Sequence, residues 1–382
     1  MEIKSVKNTR YLVSQVILGE RRLYLSVIRF FVVGLCCLFV SNTSAQENVS
    51  DFSDSLSHEI TVAAVGDIML GNWVVDYLKT EGCDYPFRQI RNILQDSQLC
   101  IGNLEAPFAT NGEAIEKAFV FRVHPRYAKA LKLAGFDAVS LANNHIMDYG
   151  IMGLGQTLRT LDSLGIHCAG AGVNLQEAFS PARLSVGKNK IAYFAFSMTL
   201  PKEFWATEKT PGTAYPYLAV IQDSISKMHQ QGFFVIVSFH WGKELQDTLR
   251  YYQQPMAHAT IDAGADLVVG HHPHVLQGFE IYKNRLIAYS LGNLIFGSYS
   301  ENARCSVILK VKLSRSHLCS AKIFPINVYN REVQFQPRIL PAKQARKLFQ
   351  HLNALSRPLN GGYDVFDENG NLKIRNQESV KF

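Results

Sequence analysis

The chain has 382 residues, of which 47% are hydrophobic, 19% charged and 11% aromatic. This composition excludes a disordered polymer, a collagen-like repeat and a disulfide-dense miniprotein. At about 150 residues per domain, the length allows one large domain or two ordinary ones. The net charge is +7, but residues 1–45 hold six basic and two acidic residues, which leaves 33 basic against 30 acidic residues in the rest. That remaining charge of +3 argues against nucleic acid as a partner.

The first 45 residues have the pattern of a secretory signal. Residues 30–40 form an 11-residue apolar run, which is shorter than the roughly 20 residues needed to span a bilayer. Arg29 precedes this run, and the small residues at 43–45 resemble a cleavage site. We therefore predict a signal peptide over residues 1–45, cleaved before Gln46, and a protein exported to the periplasm or cell envelope. An uncleaved N-terminal membrane anchor is the alternative.

Three further regions follow the predicted signal. Residues 46–58 are polar and Ser-rich and predict a linker, residues 59–330 predict one domain, and residues 331–382 predict a C-terminal extension with one helix. Within the domain, short apolar segments alternate with amphipathic ones. The predicted strands span residues 60–65, 98–103, 137–142, 233–239, 265–270 and 284–291. The predicted helices span about 86–96, 125–134, 151–164, 216–230 and 252–263.

This alternation of strands and helices predicts an α/β fold. Near-continuous apolar strands separated by helices are typical of a buried, largely parallel sheet. Two segments differ, because residues 183–196 predict a hairpin with its turn at 187–189 and residues 303–335 predict antiparallel strands. The sequence therefore predicts a mixed α/β domain whose second half is more antiparallel.

Polar residues that can bind metals follow five of the predicted strands. In chain order they are Asp67; Asn103 and Glu105; Asn143, Asn144, His145 and Asp148; His240 and Glu244; and His271, His272 and His274. Any one of these motifs could be a turn or a helix cap. In α/β sheets, ligands bind beyond the carboxyl ends of the strands. Because polar motifs of this kind occur at five strand ends, the sequence favours a metal site. Mixed oxygen and nitrogen ligands suit Zn, Mn, Fe or Co better than Ca or Mg.

Six motifs in a fixed order carry a resemblance to a known family. They are VGDIMLG, GNLEAPF, SLANNHIMDYG, FHWGKE, GHHPHVLQG and YSLGNLIF, and they cover about residues 59–300. The sequence resembles the CapA (PGA_cap) family, which comprises bacterial capsule-synthesis proteins associated with poly-γ-glutamate. That family lies within the calcineurin-like metallophosphoesterase superfamily. The resemblance implies an α/β fold of two mixed β-sheets packed as a sandwich and flanked by helices, with a two-metal site at the strand ends.

The resemblance also assigns roles to single residues. The implied metal ligands are Asp67, Glu105 (or, alternatively, Asn103), Asn144, His240, His272 and His274. His145 matches the catalytic histidine, and Met69 stands where the superfamily has a further histidine ligand. Residues expected around the metals or the substrate are Asn103, Asn143, Asp148, Glu244, His271 and Asn293. For Glu244, a solvated surface charge is an equal alternative.

These residues predict metal-dependent hydrolysis. Two cations about 3.5–4 Å apart can bind both an attacking water and phosphoryl oxygens, and an adjacent imidazole can protonate the leaving group. We therefore predict an exported hydrolase that holds two divalent transition-metal ions (Mn, Zn or Fe) and acts on a cell-envelope polymer or a phosphoester. The alternative is a non-catalytic accessory protein that binds an anionic polymer such as poly-γ-glutamate for export or anchoring. In either case a membrane-bound synthase complex could be a partner. A nuclease is disfavoured because the chain lacks a basic run.

Overall fold

A computed structural model describes residues 59–373. The predicted signal and linker lie outside the described residues, as do residues 374–382. The strands are β1 Glu59–Ile68, β2 Leu99–Leu104, β3 Ala138–Ser140, β4 His167–Ala169, β5 Ala171–Gly172, β6 Ala182–Val186, β7 Asn189–Ser197, β8 Gly212–Thr213, β9 Phe234–His240, β10 Leu267–His271, β11 Phe279–Tyr282, β12 Arg285–Ala288, β13 Asn293–Ile295, β14 Cys305–Ser314, β15 Leu318–Asn327 and β16 Arg338–Ile339.

Nine α-helices occur in the described part of the chain. They are α1 Val74–Thr80, α2 Arg91–Gln95, α3 Lys129–Ala134, α4 Gly150–Ser163, α5 Leu175–Phe179, α6 Leu218–Gln230, α7 Gln253–Asp262, α8 Asn330–Val333 and α9 Ala342–Ser356. Short 3₁₀ turns complete the helical segments, at Tyr85–Phe87, Pro125–Ala128, Lys202–Phe204, Glu301–Ala303 and Arg357–Leu359. None of the helices within residues 59–373 is long and apolar enough to cross a membrane.

The strands form two large sheets. The first has the order β16-β15-β14-β1-β2-β3-β4, with β13 also paired to β1, and the second has the order β11-β12-β10-β9-β7-β6. In the first sheet β1, β2, β3 and β4 run parallel, whereas β14 is antiparallel to β1 and to β15. In the second, β7, β9, β10 and β12 run parallel, with β6 and β11 antiparallel at its two edges. Both sheets are therefore mixed.

Alternation along the strands shows how the layers stack. In β1, Ile60 and Val62 belong to a core cluster that contains residues of both sheets, whereas Ala63 belongs to a cluster with residues of α1 to α4. In β7, Tyr193 likewise faces the shared core, whereas Phe194 packs with residues of α6 and α7. Successive side chains of a strand point to opposite faces, so each sheet has one face on the other sheet and one under helices. The predicted sandwich of two mixed sheets flanked by helices is confirmed.

All six predicted strands have counterparts, and the structure divides them between the two sheets. An α/β rhythm specifies local elements, whereas sheet membership depends on long-range pairing. Residues 284–291 illustrate this, because β12 ends at Ala288 and the chain then enters β13 of the other sheet. The predicted hairpin at 183–196 is confirmed by β6 and β7, which pair antiparallel from Ala182 with Tyr193 to Val186 with Asn189. The antiparallel segment within 303–335 is β14 paired with β15.

The residues after 330 pack into the core between the sheets. Helix α9 buries Leu348, Phe349 and Leu352 in that core, and Phe366 from the following segment joins them. The side-chain Nδ2 of Asn353 donates to the carbonyl oxygen of Phe366 at 2.9 Å, and the Oδ1 of the same side chain accepts from the Phe366 N–H at 2.9 Å. The described part of the C-terminal region is thus held by both apolar contacts and hydrogen bonds.

Truncation of Leu352 to alanine is expected to lower the free energy of unfolding by about 2–5 kcal/mol, because a fully buried leucine leaves a cavity when it is shortened. Gln350→Ala on the exposed face of the same helix is the matched control and should change stability by less than about 0.5 kcal/mol. Urea denaturation of both variants measures the difference. Equal stabilities would show that α9 contributes little to the core.

Candidate metal centre

The predicted ligands meet where the two sheets end. On the first sheet, Asp67 is the second-to-last residue of β1, and Glu105 directly follows β2. On the second sheet, His240 is the last residue of β9, and the HHPH turn (residues 271–274) begins with the last residue of β10. The carboxyl ends of parallel strands from both sheets therefore converge on one place at the edge of the shared core.

Gly66 explains how β1 positions Asp67. A side-chain Cβ at residue 66 would lie 1.9 Å from the carbonyl oxygen of Gly292, so only glycine permits the two backbones to approach this closely. The Asp67 N–H donates to that same oxygen at 3.0 Å. The approach also brings the adjacent Asn293 beside Asp67, with which it pairs in β13.

Two groups of side chains could each hold a metal ion. One comprises Glu105, His240 and His272, and the other comprises Asp67, Glu105 and His274. Within each group the ligand atoms all lie within 4.8 Å of one another. Glu105 belongs to both groups, so its carboxylate lies where it could bridge two ions.

Two histidines of the HHPH turn belong to different ligand groups, His272 to the group with His240 and His274 to the group with Asp67. His272 and His274 have φ angles of 93° and 59°, which are uncommon for residues with side chains and concentrate at functional sites. The His272 ring lies 4.8 Å from the His240 ring, centroid to centroid, whereas His274 Nδ1 lies 3.1 Å from Asp67 Oδ2. His274 Nδ1 also lies 2.9 Å from Asn293 Oδ1. The strained turn thus supplies one imidazole to each group.

The two buried carboxylates have opposite electrostatic environments. Burial and the neighbouring charge of Asp67 raise the pKa of Glu105 well above its ordinary value. Burial opposes ionisation of Asp67 as well, but the imidazoles of His271 and His274 outweigh it and hold the pKa of Asp67 well below its ordinary value. The fold therefore favours the ionised form of Asp67, whereas Glu105 would need a nearby cation to favour its ionised form.

The surroundings of the histidines shift their pKa values in different directions. Burial lowers the pKa of His240 well below its ordinary value and lowers that of His272 to about 3, which favours the neutral imidazole that binds metals. Burial opposes protonation of His274 too, but Glu105 and Asp67 outweigh it and raise its pKa to about 9. A cation between these carboxylates would replace the proton that His274 otherwise holds.

Several buried polar atoms at this place lack a hydrogen-bond partner within the described residues. They are Glu105 Oε1, His272 Nδ1 and both ring nitrogens of His271. An unpartnered buried polar group costs about 1–3 kcal/mol, and native proteins contain few of them. A divalent ion bound by Glu105 and by one ring nitrogen of His272, which belong to the same group, would give both side chains a partner. The residues present therefore fit a transition-metal centre.

Asn103 lies between the two carboxylates and contacts both of them. Its Nδ2 donates to Asp67 Oδ1 at 2.8 Å and to Glu105 Oε2 at 3.2 Å. Its Oδ1 accepts from the Nδ2 of Asn143 at 3.1 Å, and the Oδ1 of Asn143 in turn accepts from the backbone N–H of His145 at 3.1 Å. The side-chain amide of Asn103 thus orients both carboxylates and links them to Asn143.

His145 lies beside the ligands, and a hydrogen bond to Asp148 orients its ring. Its Nδ1 is 2.8 Å from Asp148 Oδ2, and burial lowers its pKa. Asn144, the residue before it, places Oδ1 2.8 Å from His240 Nε2. His145 itself is in neither group of potential ligands. The His145 ring therefore lies near the two ligand groups and outside both of them.

Lys117 is a site residue that the sequence analysis misses. Its Nζ lies 2.6 Å from Asp148 Oδ1 and 2.5 Å from the carbonyl oxygen of Asn144. Lys117 lies in an irregular segment between β2 and α3, where no periodic pattern marks it. A sequence signal could not have found it, because its contacts are made through the fold and not through a motif.

The remaining predicted residues have varied surroundings. His271 is buried, with Nδ1 3.4 Å from Asp67 Oδ1. Glu244 is exposed in the loop after β9, and its charge contributes to the raised pKa of both Glu105 and His274. Met69 packs in the cluster on the helical side of the first sheet, where its Sδ accepts from the Gly71 N–H at 3.1 Å. Its side chain contributes to that core and not to either ligand group.

Comparison with known proteins places this chain in a family. Residues 61–298 match the family described as "Bacterial capsule synthesis protein PGA_cap". The chain is 31% identical over 305 residues to "Capsule biosynthesis protein CapA" of Bacillus anthracis, covering 78% of this chain and 74% of that protein. It is 29% identical over 313 residues to "PGA biosynthesis protein CapA" of Bacillus subtilis, covering 81% of each. A third relative, "Probable polyglutamine synthesis accessory protein" of Mycobacterium tuberculosis, is 28% identical over 272 residues, covering 65% of this chain and 72% of that protein. As its six motifs predict, the chain belongs to the PGA_cap family of bacterial capsule synthesis proteins.

Proposed function

We propose that this protein is an exported, metal-dependent hydrolase that acts on an anionic capsule polymer, such as poly-γ-glutamate, or on a phosphoester of the cell envelope. The observation that carries the proposal is the pair of buried ligand groups that share Glu105, with His145 beside them and outside both. The names of the relatives, which refer to capsule and PGA biosynthesis, support the choice of an envelope polymer.

The proposed centre holds two divalent transition-metal ions, Mn, Zn or Fe. Asp67 and His274 would hold one ion, His240 and His272 the other, and Glu105 would bridge them, with Asn144 close enough to His240 to complete its group. When bound, such ions lower the pKa of a coordinated water and stabilise negative charge on a substrate oxygen. Asn103 would keep both carboxylates in the orientation that this arrangement needs.

His145 would exchange the proton in the proposed reaction. Asp148 accepts a hydrogen bond from Nδ1, so Nε2 is the nitrogen left to exchange a proton with the leaving group. Lys117 neutralises Asp148 from its other side and fixes the backbone of Asn144. These contacts orient the imidazole without using the atom that would meet the substrate.

The alternative is a non-catalytic accessory protein whose metal centre binds an anionic polymer for export or anchoring. One observation favours it, because Met69 offers the Asp67 group no imidazole where the superfamily has one. The two functions differ in turnover and not in binding. A metal-loaded protein that binds poly-γ-glutamate but hydrolyses neither this polymer nor a chromogenic phosphodiester would establish the accessory role.

Replacement of both His272 and His274 by alanine is expected to reduce the metal content from between one and two ions per chain to near zero. The double variant removes one imidazole from each ligand group, so neither group retains its full set. Elemental analysis of protein purified without chelator measures the content. The matched control replaces two exposed histidines, His167 and His351, by alanine and should retain the wild-type content. Equal content in the two double variants would place the metal elsewhere.

Export is expected to produce a mature chain that begins at Gln46. The short apolar run and the small residues before the cleavage point motivate this expectation. Mass spectrometry of envelope fractions identifies the N-terminal peptide directly. Full-length chain in the membrane fraction would support the uncleaved anchor, and full-length chain in the cytoplasm would contradict export.

A further inference from the structure

We infer that helix α9 and the cleft beside it bind the carboxylates of an anionic polymer, outside the metal centre. This inference rests on the proposed function, because it gives the polymer named there a binding surface of its own. That surface is the exposed part of α9 that bears Lys343, Arg346 and Lys347, here termed the basic face. It lies beyond residues 61–298, the part of the chain that matches the family.

A cleft of about 730 Å³ lies between α9 and the chain that follows the HHPH turn. The two residues after His274 line this cleft, and Leu245 lines it from the loop after β9. The Leu245 N–H donates to the carbonyl oxygen of Pro273, within the turn, at 2.8 Å. Lys347 and His351 line the cleft from α9. The cleft therefore reaches from the segment that carries the ligand His274 to the basic face.

The charge of α9 is one-sided. Its 15 residues include Lys343, Arg346 and Lys347 but no Asp or Glu. Residues three and four apart are neighbours on a helix surface, so these cations lie close together. All three are exposed, and none has an ion-pair or hydrogen-bond partner for its side chain within residues 59–373. The chain after residue 45 has 33 basic and 30 acidic residues, so this helix alone equals the whole excess of +3.

These cations do not stabilise the helix that carries them. Like charges three and four residues apart repel one another. Lys343 also lies in the first turn of α9, where a cation opposes the helix dipole. Anions along the basic face would relieve this repulsion. Poly-γ-glutamate carries one carboxylate on each residue, so a single chain of it can contact several of these cations at once.

The acidic groups of the cleft determine how such a polymer would lie. Asp247 and Glu301 are lining residues as well. Glu301 Oε1 accepts from the hydroxyl of Tyr329 at 3.3 Å and lies 3.9 Å from Nη2 of Arg304, another lining residue. We therefore expect the carboxylates of the polymer to face Lys347 on α9, and its uncharged amide groups to face the acidic residues.

The test replaces the basic face, as Lys343→Ala, Arg346→Ala and Lys347→Ala together. Metal-free full-chain protein is used, so that no ion at the metal centre contributes to binding. The affinity for poly-γ-glutamate should fall by about 3–100-fold, since each exposed ion pair contributes only a small part. The salt dependence of binding should also become less steep, because fewer cations displace counterions from the polymer. Calorimetric titration at two salt concentrations measures both effects.

The matched control removes the same charges from α3 and α4, as Lys129→Ala, Lys132→Ala and Arg159→Ala together. These side chains are exposed and do not line the cleft, so this variant should bind the polymer as wild type does. Equal affinities of wild type and the α9 variant, or equal losses in the two triple variants, would overturn the inference. A loss confined to vesicles of anionic phospholipid would also overturn it and would identify α9 as a membrane-binding surface.

Two outcomes separate this inference from the proposed function. Polymer binding that depends on the basic face, with no hydrolysis by metal-loaded wild type, would support the inference and contradict the hydrolase. Hydrolysis of a chromogenic phosphodiester by wild type that does not bind the polymer would support the hydrolase and overturn the inference.

Discussion

Glu105→Gln is expected to abolish metal binding at both positions of the centre. Glutamine keeps the size of the side chain but removes the negative charge that belongs to both ligand groups. Changes in residues that merely orient a ligand lower metal affinity by about 10–100-fold, so losing the shared carboxylate should exceed 100-fold. Hydrolysis should fall to the background rate with either Mn or Zn supplied. Calorimetric titration of metal-free protein measures the affinities.

The same substitution should not destabilise the metal-free protein. Burial and Asp67 raise the pKa of Glu105, which means that the folded state disfavours its ionised form. This destabilisation grows as the pH rises above the ordinary glutamate pKa, and glutamine removes it. Metal-free Glu105→Gln should therefore unfold at the same or a higher urea concentration than metal-free wild type at neutral pH. Retained binding of both ions would contradict the bridging position, whereas a less stable apo-variant would contradict the electrostatic argument.

His145→Ala is expected to lower turnover by about 10²–10⁴-fold while leaving the metal content unchanged. His145 belongs to neither ligand group, and a positioned general acid contributes a factor of this size. A phosphodiester with a good leaving group needs little proton donation and should be affected less than one with a poor leaving group. Steady-state rates on two phosphodiesters, with metal analysis of the same samples, separate these effects.

The control for His145 is His167→Ala, which removes an exposed imidazole from β4. It should leave both rates and metal content at wild-type values. An equal loss on both phosphodiesters would show that His145 does not protonate the leaving group. Loss of metal from His145→Ala would instead make it a ligand or a support for one, and unchanged turnover would exclude it from the reaction.

The sequence specifies the strand ends of this site well. Each ligand-bearing segment is an apolar run that stops at a polar residue, as at Asp67 and His240. Such local patterns can be recognised from the sequence alone. The HHPH turn is visible for the same reason, since three of its four residues are histidines. These features follow from short stretches of chain.

What the sequence could not specify depends on contacts between distant segments. The division into two sheets rests on pairings such as β1 with β13, which the α/β rhythm does not encode. The amide of Asn103 reaches both carboxylates only because β1 and β2 are in register, and Lys117 meets Asp148 across an irregular loop. The roles of these two residues are therefore properties of the fold.

The central position of β1 sets the order in which the protein can fold. This first described strand lies between β2 and β14, and its residue Glu59 pairs with Ser314 near the other end of the domain. Closing such a long loop costs entropy before any contact compensates for it, which makes non-local sheets slow to form. The first sheet cannot be completed until most of the chain has been synthesised. In a nascent chain, the edge of β1 that pairs with β14 therefore has no partner strand until β14 has been made.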